Sequence, residues 1–151
     1  MSDSERRGWR PHPLTGLLVA CGVAILLATL LPLEFSADAE QVRLKWERLT
    51  DFGRTGSSWP DIIANHLLFL PLGALLAGRL LAAGARLVTV VALTLLCGFG
   101  FSLLIELTQL FVVGRLASWI DLVMNTSGAL AGSVVGWLWS RASDAGRRRS
   151  G

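Results

Sequence analysis

The sequence has few charged residues, and only two cysteines and two histidines. Charged side chains make up 17% of the 151 residues, whereas hydrophobic side chains make up 52%. This balance is too apolar for an ordinary soluble domain and indicates a membrane protein of one domain. The net charge is +3, but the arginines lie at the chain ends and in short connections. That distribution is typical of membrane topology signals rather than of nucleic-acid binding.

Signatures of catalysis and metal binding are also missing from the sequence. Its two cysteines, Cys21 and Cys97, lie inside apolar runs, far from a second cysteine, histidine or acid at ligand spacing. We therefore interpret them as small core residues rather than as metal ligands or a redox pair. The sequence has no Walker loop, zinc cluster, nucleophile elbow or dinucleotide fingerprint, so we expect neither a metal nor a cofactor.

Four apolar runs are long enough to cross a bilayer. They predict an all-α integral membrane protein with four transmembrane helices at about residues 14–33, 61–81, 87–113 and 120–139. Together with the connection at 34–60 they form one membrane domain, 14–139. Basic tails at 1–13 and 140–151 flank this domain.

The connection at 34–60 carries a helical pattern of its own. Asp38 and Gln41 have the spacing of a capping box. Apolar residues then recur at spacings of four, three and three, at Val42, Trp46, Leu49 and Phe52. The pattern predicts a short amphipathic helix on the membrane surface between spans one and two. The alternative is a soluble cap that packs on the loops.

The distribution of basic residues predicts the orientation of the chain. With four spans, both termini and the turn near residue 84 share one side, which holds nine arginines. The other side holds five basic residues mixed with acids. The positive-inside rule therefore places both termini in the cytoplasm, in a multi-pass plasma-membrane protein. The connection at 34–60 and the loop around Arg115 then face outward.

One pattern, S-W-x-D-h-h-h-N with h apolar, occurs twice, at residues 58–65 and 118–125. Both copies open a predicted span that runs from outside to inside. The polar positions are Asp61 and Asn65 in the first copy, and Asp121 and Asn125 in the second. The asparagines lie one turn, about 6 Å, deeper than the aspartates on the same helix face. Helix caps and interfacial tryptophans would explain the aspartates and tryptophans, but neither the asparagines nor the near-identical copies.

The third span carries a carboxylate at Glu106, with Gln109, Ser102 and Gly98 on the same face. We expect Glu106 about 10 Å below the end of this span, facing the bundle interior because a carboxylate is costly in lipid. The fourth span continues Asp121 and Asn125 with small residues on one face, at Gly128, Gly132 and Gly136. Such a face allows close helix approach, and we expect it to pack against the Glu106 face.

The chain also has the pattern of a parallel duplication, with spans one and two as one hairpin and spans three and four as the other. A binding site is expected where two such repeats meet. The predicted ligand-binding residues are Asp61, Asn65, Glu106, Gln109, Arg115, Asp121 and Asn125. Two further candidates are Glu34, the counterpart of Glu106 near the end of span one, and His66. His66 has no counterpart in the second copy, where Thr126 stands, and it is alternatively structural.

Three segments combine polar and turn residues in a distinctive order. They are Asn65–Gly73 (NHLLFLPLG), Ile105–Phe111 (IELTQLF) and the spaced residues Arg115, Asp121, Asn125, Thr126, Gly128 and Gly132. Together they resemble the VanZ-like family over about residues 59–138. The resemblance implies a small multispanning membrane protein. The member that gives the family its name is associated with low-level resistance to teicoplanin, a lipoglycopeptide.

These observations favour a non-enzymatic protein whose outward-facing polar pocket binds or shields a lipid headgroup, a cell-wall precursor or a lipoglycopeptide. Two alternatives are an intramembrane enzyme acting on a lipid-linked substrate and a small transporter driven through Glu106. A fourth interpretation is that the polar residues only fix helix packing, since each such hydrogen bond contributes about 0.6–2 kcal/mol in a membrane. The expected partner is the membrane, and nucleic acid is not expected.

Overall fold

The computed structural model describes residues 13–53 and 58–149, and side chains only up to residue 147. Within these ranges the chain folds into five helices and no named strand: α1 (Pro13–Leu30), α2 (Ala39–Thr50), α3 (Trp59–Ala82), α4 (Leu87–Gln109) and α5 (Trp119–Arg149). The prediction of an all-α protein with a short helix between the first two spans is confirmed.

Among the described residues, three helices are long and apolar enough to cross a membrane, namely α1, α3 and α4. The predicted fourth span lies within α5, which continues as helix through the segment assigned to a basic tail, as far as Arg149. The four-span hairpin arrangement and the orientation therefore stay predictions. Most of the basic tail at 1–13 and one counted arginine, Arg54, lie outside the described residues.

The helix α4 ends at Gln109, four residues earlier than the sequence pattern predicted. The chain turns there because the following connection, residues 110–118, pairs with the segment after α1. Val113 N donates to Glu34 O at 2.7 Å, and Ser36 N donates to Phe111 O at 2.8 Å. The expectation that Glu106 lies about 10 Å below the helix end is therefore wrong, since Glu106 lies in the last turn of α4.

The glycine face of α5 packs against α3, so the prediction that it packs against α4 is wrong. A Cβ added at Gly128 would lie 2.1 Å from His66 O, and one at Gly132 would lie 2.0 Å from Leu70 O. A Cβ at Gly136 would lie 2.4 Å from Ala74 O. The helix α3 accepts this approach because it also places small residues at the contact. A Cβ at Gly73 on α3 would lie 1.9 Å from Ala129 O.

The helix α4 meets the neighbouring face of α5. A Cβ at Gly98 would lie 2.8 Å from the Ala129 Cβ, so Ala129 is enclosed between α3 and α4. Around it lies the main apolar core, to which each of the four long helices contributes one buried residue: Ile25, Phe69, Ile105 and Ala129. This core fixes the relative positions of the helix ends at which the polar residues lie.

The helix α2 packs on the connection 110–118. Leu49 is buried against Leu110 and Ala117. Lys45 Nζ donates to Gln109 O, at the last residue of α4, at 3.2 Å and to Val112 O, in the connection 110–118, at 2.6 Å. This packing is the one expected of a cap on the loops. Other residues of the predicted apolar face, Trp46 and Phe52, are 50% and 72% exposed, so a role at the membrane surface stays a prediction.

Candidate functional site

A cavity lies at the end of the bundle where α1 and α4 end and where α3 and α5 begin. Its volume is about 480 Å³, within the roughly 300–1,000 Å³ of small-molecule sites. All five helices and the connection 110–118 contribute to its wall. The polar residues that line it are Thr29, Arg48, Asp61, Asn65, Gln109, Arg115 and Asp121.

Seven residues were predicted to form one site, and the structure brings five of them to this cavity: Asp61, Asn65, Gln109, Arg115 and Asp121. The other two, Glu106 and Asn125, do not line it and are buried within the helix contacts, at 1% and 2% exposure. The cavity is thus assembled from residues far apart in the chain, and a second group of polar residues lies buried beside it.

Asp61 holds the start of α3 and also lines the cavity. Its Oδ2 accepts hydrogen bonds from Ser58 N at 3.2 Å and from Ser58 Oγ at 2.7 Å. Ser58 Oγ in turn accepts the Asp61 N–H at 3.4 Å, which completes a capping box. The serine and aspartate of the first sequence copy therefore have a structural role. The unpaired N–H groups of the helix start also favour a carboxylate at this position.

Arg115 and Gln109 hold the end of α1. Arg115 donates from Nε to Leu31 O at 2.8 Å and from Nη2 to Ala28 O at 3.0 Å. Gln109 Nε2 donates to Thr29 O at 3.0 Å. The last carbonyl groups of a helix have no partner within the helix, so these donors satisfy groups that would otherwise need another partner. They also fix one wall of the cavity.

Arg48 was not among the predicted site residues, yet it lines the cavity from α2. It lies on the same face of α2 as Lys45, because residues three apart are neighbours on a helix. The sequence pattern predicted an apolar face for this helix and did not mark Arg48 as a site residue. In the structure, the Lys45 contacts turn this face toward the bundle, and partial burial lowers the pKa of the Lys45 ammonium group.

Glu106 connects α4 to the start of α5. Its Oε2 accepts the backbone N–H of Ser118 at 2.8 Å, directly before the first residue of α5. In the first copy the N–H of the corresponding Ser58 bonds to the aspartate of its own motif. Glu106 therefore helps position α5, and with it the Asp121 carboxylate.

Asn125 is the buried link between α5 and α4. Its Nδ2 donates to Ser102 Oγ at 2.9 Å, so the predicted contact between these two polar faces is present. Its Oδ1 finds no hydrogen-bond partner within the described part of the chain. Because Asn125 lies away from the cavity wall, the asparagines of the two sequence copies have different surroundings.

The two further candidates, His66 and Glu34, do not line the cavity either. His66 Nδ1 is 2.9 Å from Ser127 Oγ, across the contact of α3 with α5. Ser127 Oγ also lies within hydrogen-bond distance of Met124 O, at 2.9 Å. The Glu34 side chain is exposed, and the backbone oxygen of that residue accepts the Val113 N–H.

Charges of both signs line the cavity in equal number, two arginines and two aspartates. Asp61 and Asp121 come from the closely packed pair α3 and α5. Arg48 and Arg115 come from α2 and from the connection 110–118. Within the described ranges, no group of three or more histidine, cysteine or acidic side chains is arranged to hold a metal ion.

Comparison with known proteins agrees with this membrane architecture. A family model described as VanZ/LLP1 matches residues 14–140. The match covers most of the chain, which therefore belongs to the VanZ/LLP1 family and is a VanZ-like membrane protein. No curated protein and no solved structure matches the chain.

Proposed function

We propose that this chain is a non-enzymatic binding protein of the membrane. Its cavity would hold the polar part of a lipid, a cell-wall precursor or a lipoglycopeptide such as teicoplanin. The observation that carries the proposal is the convergence of Asp61, Asn65, Gln109, Arg115 and Asp121 on one cavity. Sites of this kind combine a concave surface with a few convergent polar groups.

Helix packing explains part of this arrangement. Asp61 caps α3, and Arg115 and Gln109 hold the end of α1. Packing alone does not require these three residues to surround a common space together with Asn65, Arg48 and Asp121. That space is large enough for a small molecule. The cavity is therefore the feature that favours a ligand.

The outward orientation is part of the proposal and rests on the positive-inside rule. The tryptophan before each motif aspartate, Trp59 and Trp119, fits the depth of lipid headgroups. Trp59 is 77% exposed at the start of α3. At this depth the cavity would meet the polar part of an amphiphile while the apolar part stays in the bilayer.

The test is drug susceptibility in a teicoplanin-sensitive bacterial host that expresses the chain. We expect the wild-type chain to reduce susceptibility, and Asp121→Asn or Asn65→Ala to remove the effect at equal membrane abundance. The matched control is Asp144→Asn, which removes an exposed carboxylate of α5 that pairs with Arg147. If the cavity variants protect as well as the wild type, the cavity does not carry the function.

A further inference from the structure

Three arginines lie at the end of the bundle opposite the cavity. Arg79 is in the last turn of α3, Arg86 directly precedes α4, and Arg141 lies in the second half of α5. Within the described ranges, the single acidic residue of this end is Asp144, which accepts a hydrogen bond from Arg147. This arginine end therefore carries positive charge that the described chain does not neutralise.

The contact of α3 with α5 sets the depth of Arg79 relative to Arg141. The glycine contacts described above keep these two helices parallel and in step, and the last of them places Gly136 on Ala74 O. Arg141 and Arg79 each lie five residues beyond that contact, so the two arginines are level with each other.

The contact of α4 with α5 gives a similar depth for Arg86. Gly98 lies against Ala129, and the two helices run in opposite directions. Arg86 lies twelve residues before Gly98, and Arg141 lies twelve residues after Ala129. The three arginines, which come from three different elements, therefore share one level of the bundle.

This level matches the second face of a bilayer. At about 1.5 Å per residue, Arg79 lies about 30 Å from Trp59 along α3, and Arg141 lies about 33 Å from Trp119 along α5. The hydrocarbon core of a bilayer is about 30 Å thick. With the tryptophans at headgroup depth on one face, the arginines lie at headgroup depth on the other, where Trp139 is 76% exposed.

The contacts of the three side chains leave N–H donors available. Arg79 Nε donates to the neutral Thr15 Oγ1 at 3.3 Å, and Arg86 makes no side-chain capping bond. The Arg141 guanidinium lies over the Trp137 ring, 5.1 Å from its centroid. Stacking occupies the face of a guanidinium group and leaves the donors at its edge free. No carboxylate within the described ranges pairs with any of the three.

We infer that the arginine end binds the phosphate groups of anionic lipids, with Arg141 on Trp137 as the principal anchor. Paired N–H donors of a guanidinium group match phosphate oxygens, and basic clusters at the ends of membrane helices recognise anionic headgroups. Val134 and Leu138 precede Arg141 on the same side of α5 and are 54% and 55% exposed. They would contact the acyl chains of a lipid whose phosphate meets Arg141.

The test is competitive lipid binding by the purified full-length chain, with bound lipids counted by native mass spectrometry. Phosphatidylglycerol and phosphatidylcholine with identical acyl chains are supplied together. Both contain the phosphate, but the choline group cancels its charge. We expect a preference for phosphatidylglycerol of about fivefold or more, the contribution of one arginine near an anionic headgroup.

Substitutions locate the preference. Arg141→Gln should lower it by about fivefold, and combining Arg79→Gln, Arg86→Gln and Arg141→Gln should abolish it. The matched control is Arg43→Gln, which removes an exposed arginine that has its partners within α2, at the other end of the molecule. This control should keep the full preference.

Trp137→Leu separates the position of the guanidinium group from its charge. The variant keeps all three arginines but removes the ring under Arg141. We expect its preference for phosphatidylglycerol to fall between the wild type and Arg141→Gln. A preference equal to that of the wild type would contradict the role of Trp137 as a support for the anchor.

Equal binding of the two lipids by the wild type would overturn the inference, as would equal losses in Arg141→Gln and Arg43→Gln. Inorganic phosphate alone is a second arm. If it binds to the arginine end where no lipid preference is seen, the arginines hold a free phosphate and the lipid is excluded as the source. Asp121→Asn, a cavity variant, should keep the lipid preference, so this result is independent of the proposed function.

Discussion

The Glu106 carboxylate accepts the backbone N–H of Ser118 at 2.8 Å and so joins the last turn of α4 to the start of α5. Both residues are almost fully buried, at 1% and 4% exposure. The acid that the sequence marked as a ligand-binding residue therefore holds a helix end beside the cavity. Because Asp121 lies three residues after Ser118, this bond also helps to position a carboxylate of the cavity.

This relationship predicts a difference between two substitutions of Glu106. Glu106→Gln keeps a side-chain oxygen that can accept the Ser118 N–H, whereas Glu106→Ala leaves that buried N–H without it. We expect Glu106→Ala to destabilise the protein by about 1–3 kcal/mol, and Glu106→Gln to cost clearly less. Thermal unfolding of the purified variants in detergent measures both. Equal loss in the two variants would mean that the negative charge itself is required.

The contact of α3 with α5 predicts a large effect at one glycine. Gly132→Ala would place a methyl group 2.0 Å from Leu70 O, so the two helices would have to separate. We expect a loss of at least the 1–3 kcal/mol that is usual for overpacking. Gly146→Ala is the control on the same helix, since nothing lies within 4 Å of its added Cβ. A tolerated Gly132→Ala would show that α3 and α5 do not approach this closely.

Lys45 is predicted to hold α2 on the bundle. Lys45→Met keeps most of the apolar stem but removes the donor to Gln109 O and Val112 O. We expect faster hydrogen exchange in residues 39–50 and weaker ligand retention, because α2 also carries Arg48 to the cavity. Arg43→Met is the matched control, since Arg43 pairs with Glu40 and Glu47 within α2. Unchanged exchange in Lys45→Met, or equal changes in both variants, would contradict this role.

His66 is predicted to be structural. Its pair with Ser127 spans α3 and α5, and a double-mutant cycle with His66→Ala and Ser127→Ala should give a coupling of about 0.6 kcal/mol, as is usual for such bonds in membranes. We expect the same variants to keep ligand binding, because neither residue lines the cavity. Loss of binding at normal stability in His66→Ala would instead place this histidine in the site.

The sequence predicted the cavity residues better than the helix contacts. Asp61 and Asp121 could be located because each opens an apolar run, and Gln109 and Arg115 because they lie near the end of one. The partner of the glycine face could not be predicted in the same way. A glycine stripe shows that another backbone comes close, but not which one, and here Gly73 and Ala74 make α3 the closer match.

Arg48 and Glu106 show a second limit of the sequence pattern. Both are ionisable side chains at positions whose surroundings depend on the turn after α4. The helix ends at Gln109, so the following residues fold back to the segment after α1 and provide a surface for α2. Helix periodicity marks neither this end nor the backbone N–H that Glu106 binds.

The outward-facing position of the cavity can be tested directly by one labelling measurement. Asn65→Cys places a thiol on the cavity wall, and Ala83→Cys places one at the opposite end of α3, both in a background with Cys21→Ala and Cys97→Ala. We expect a membrane-impermeant maleimide to label the Asn65→Cys variant in intact cells, and the Ala83→Cys variant only after the membrane is opened. The reverse pattern, with Asn65→Cys labelled only in opened cells, would contradict the central claim.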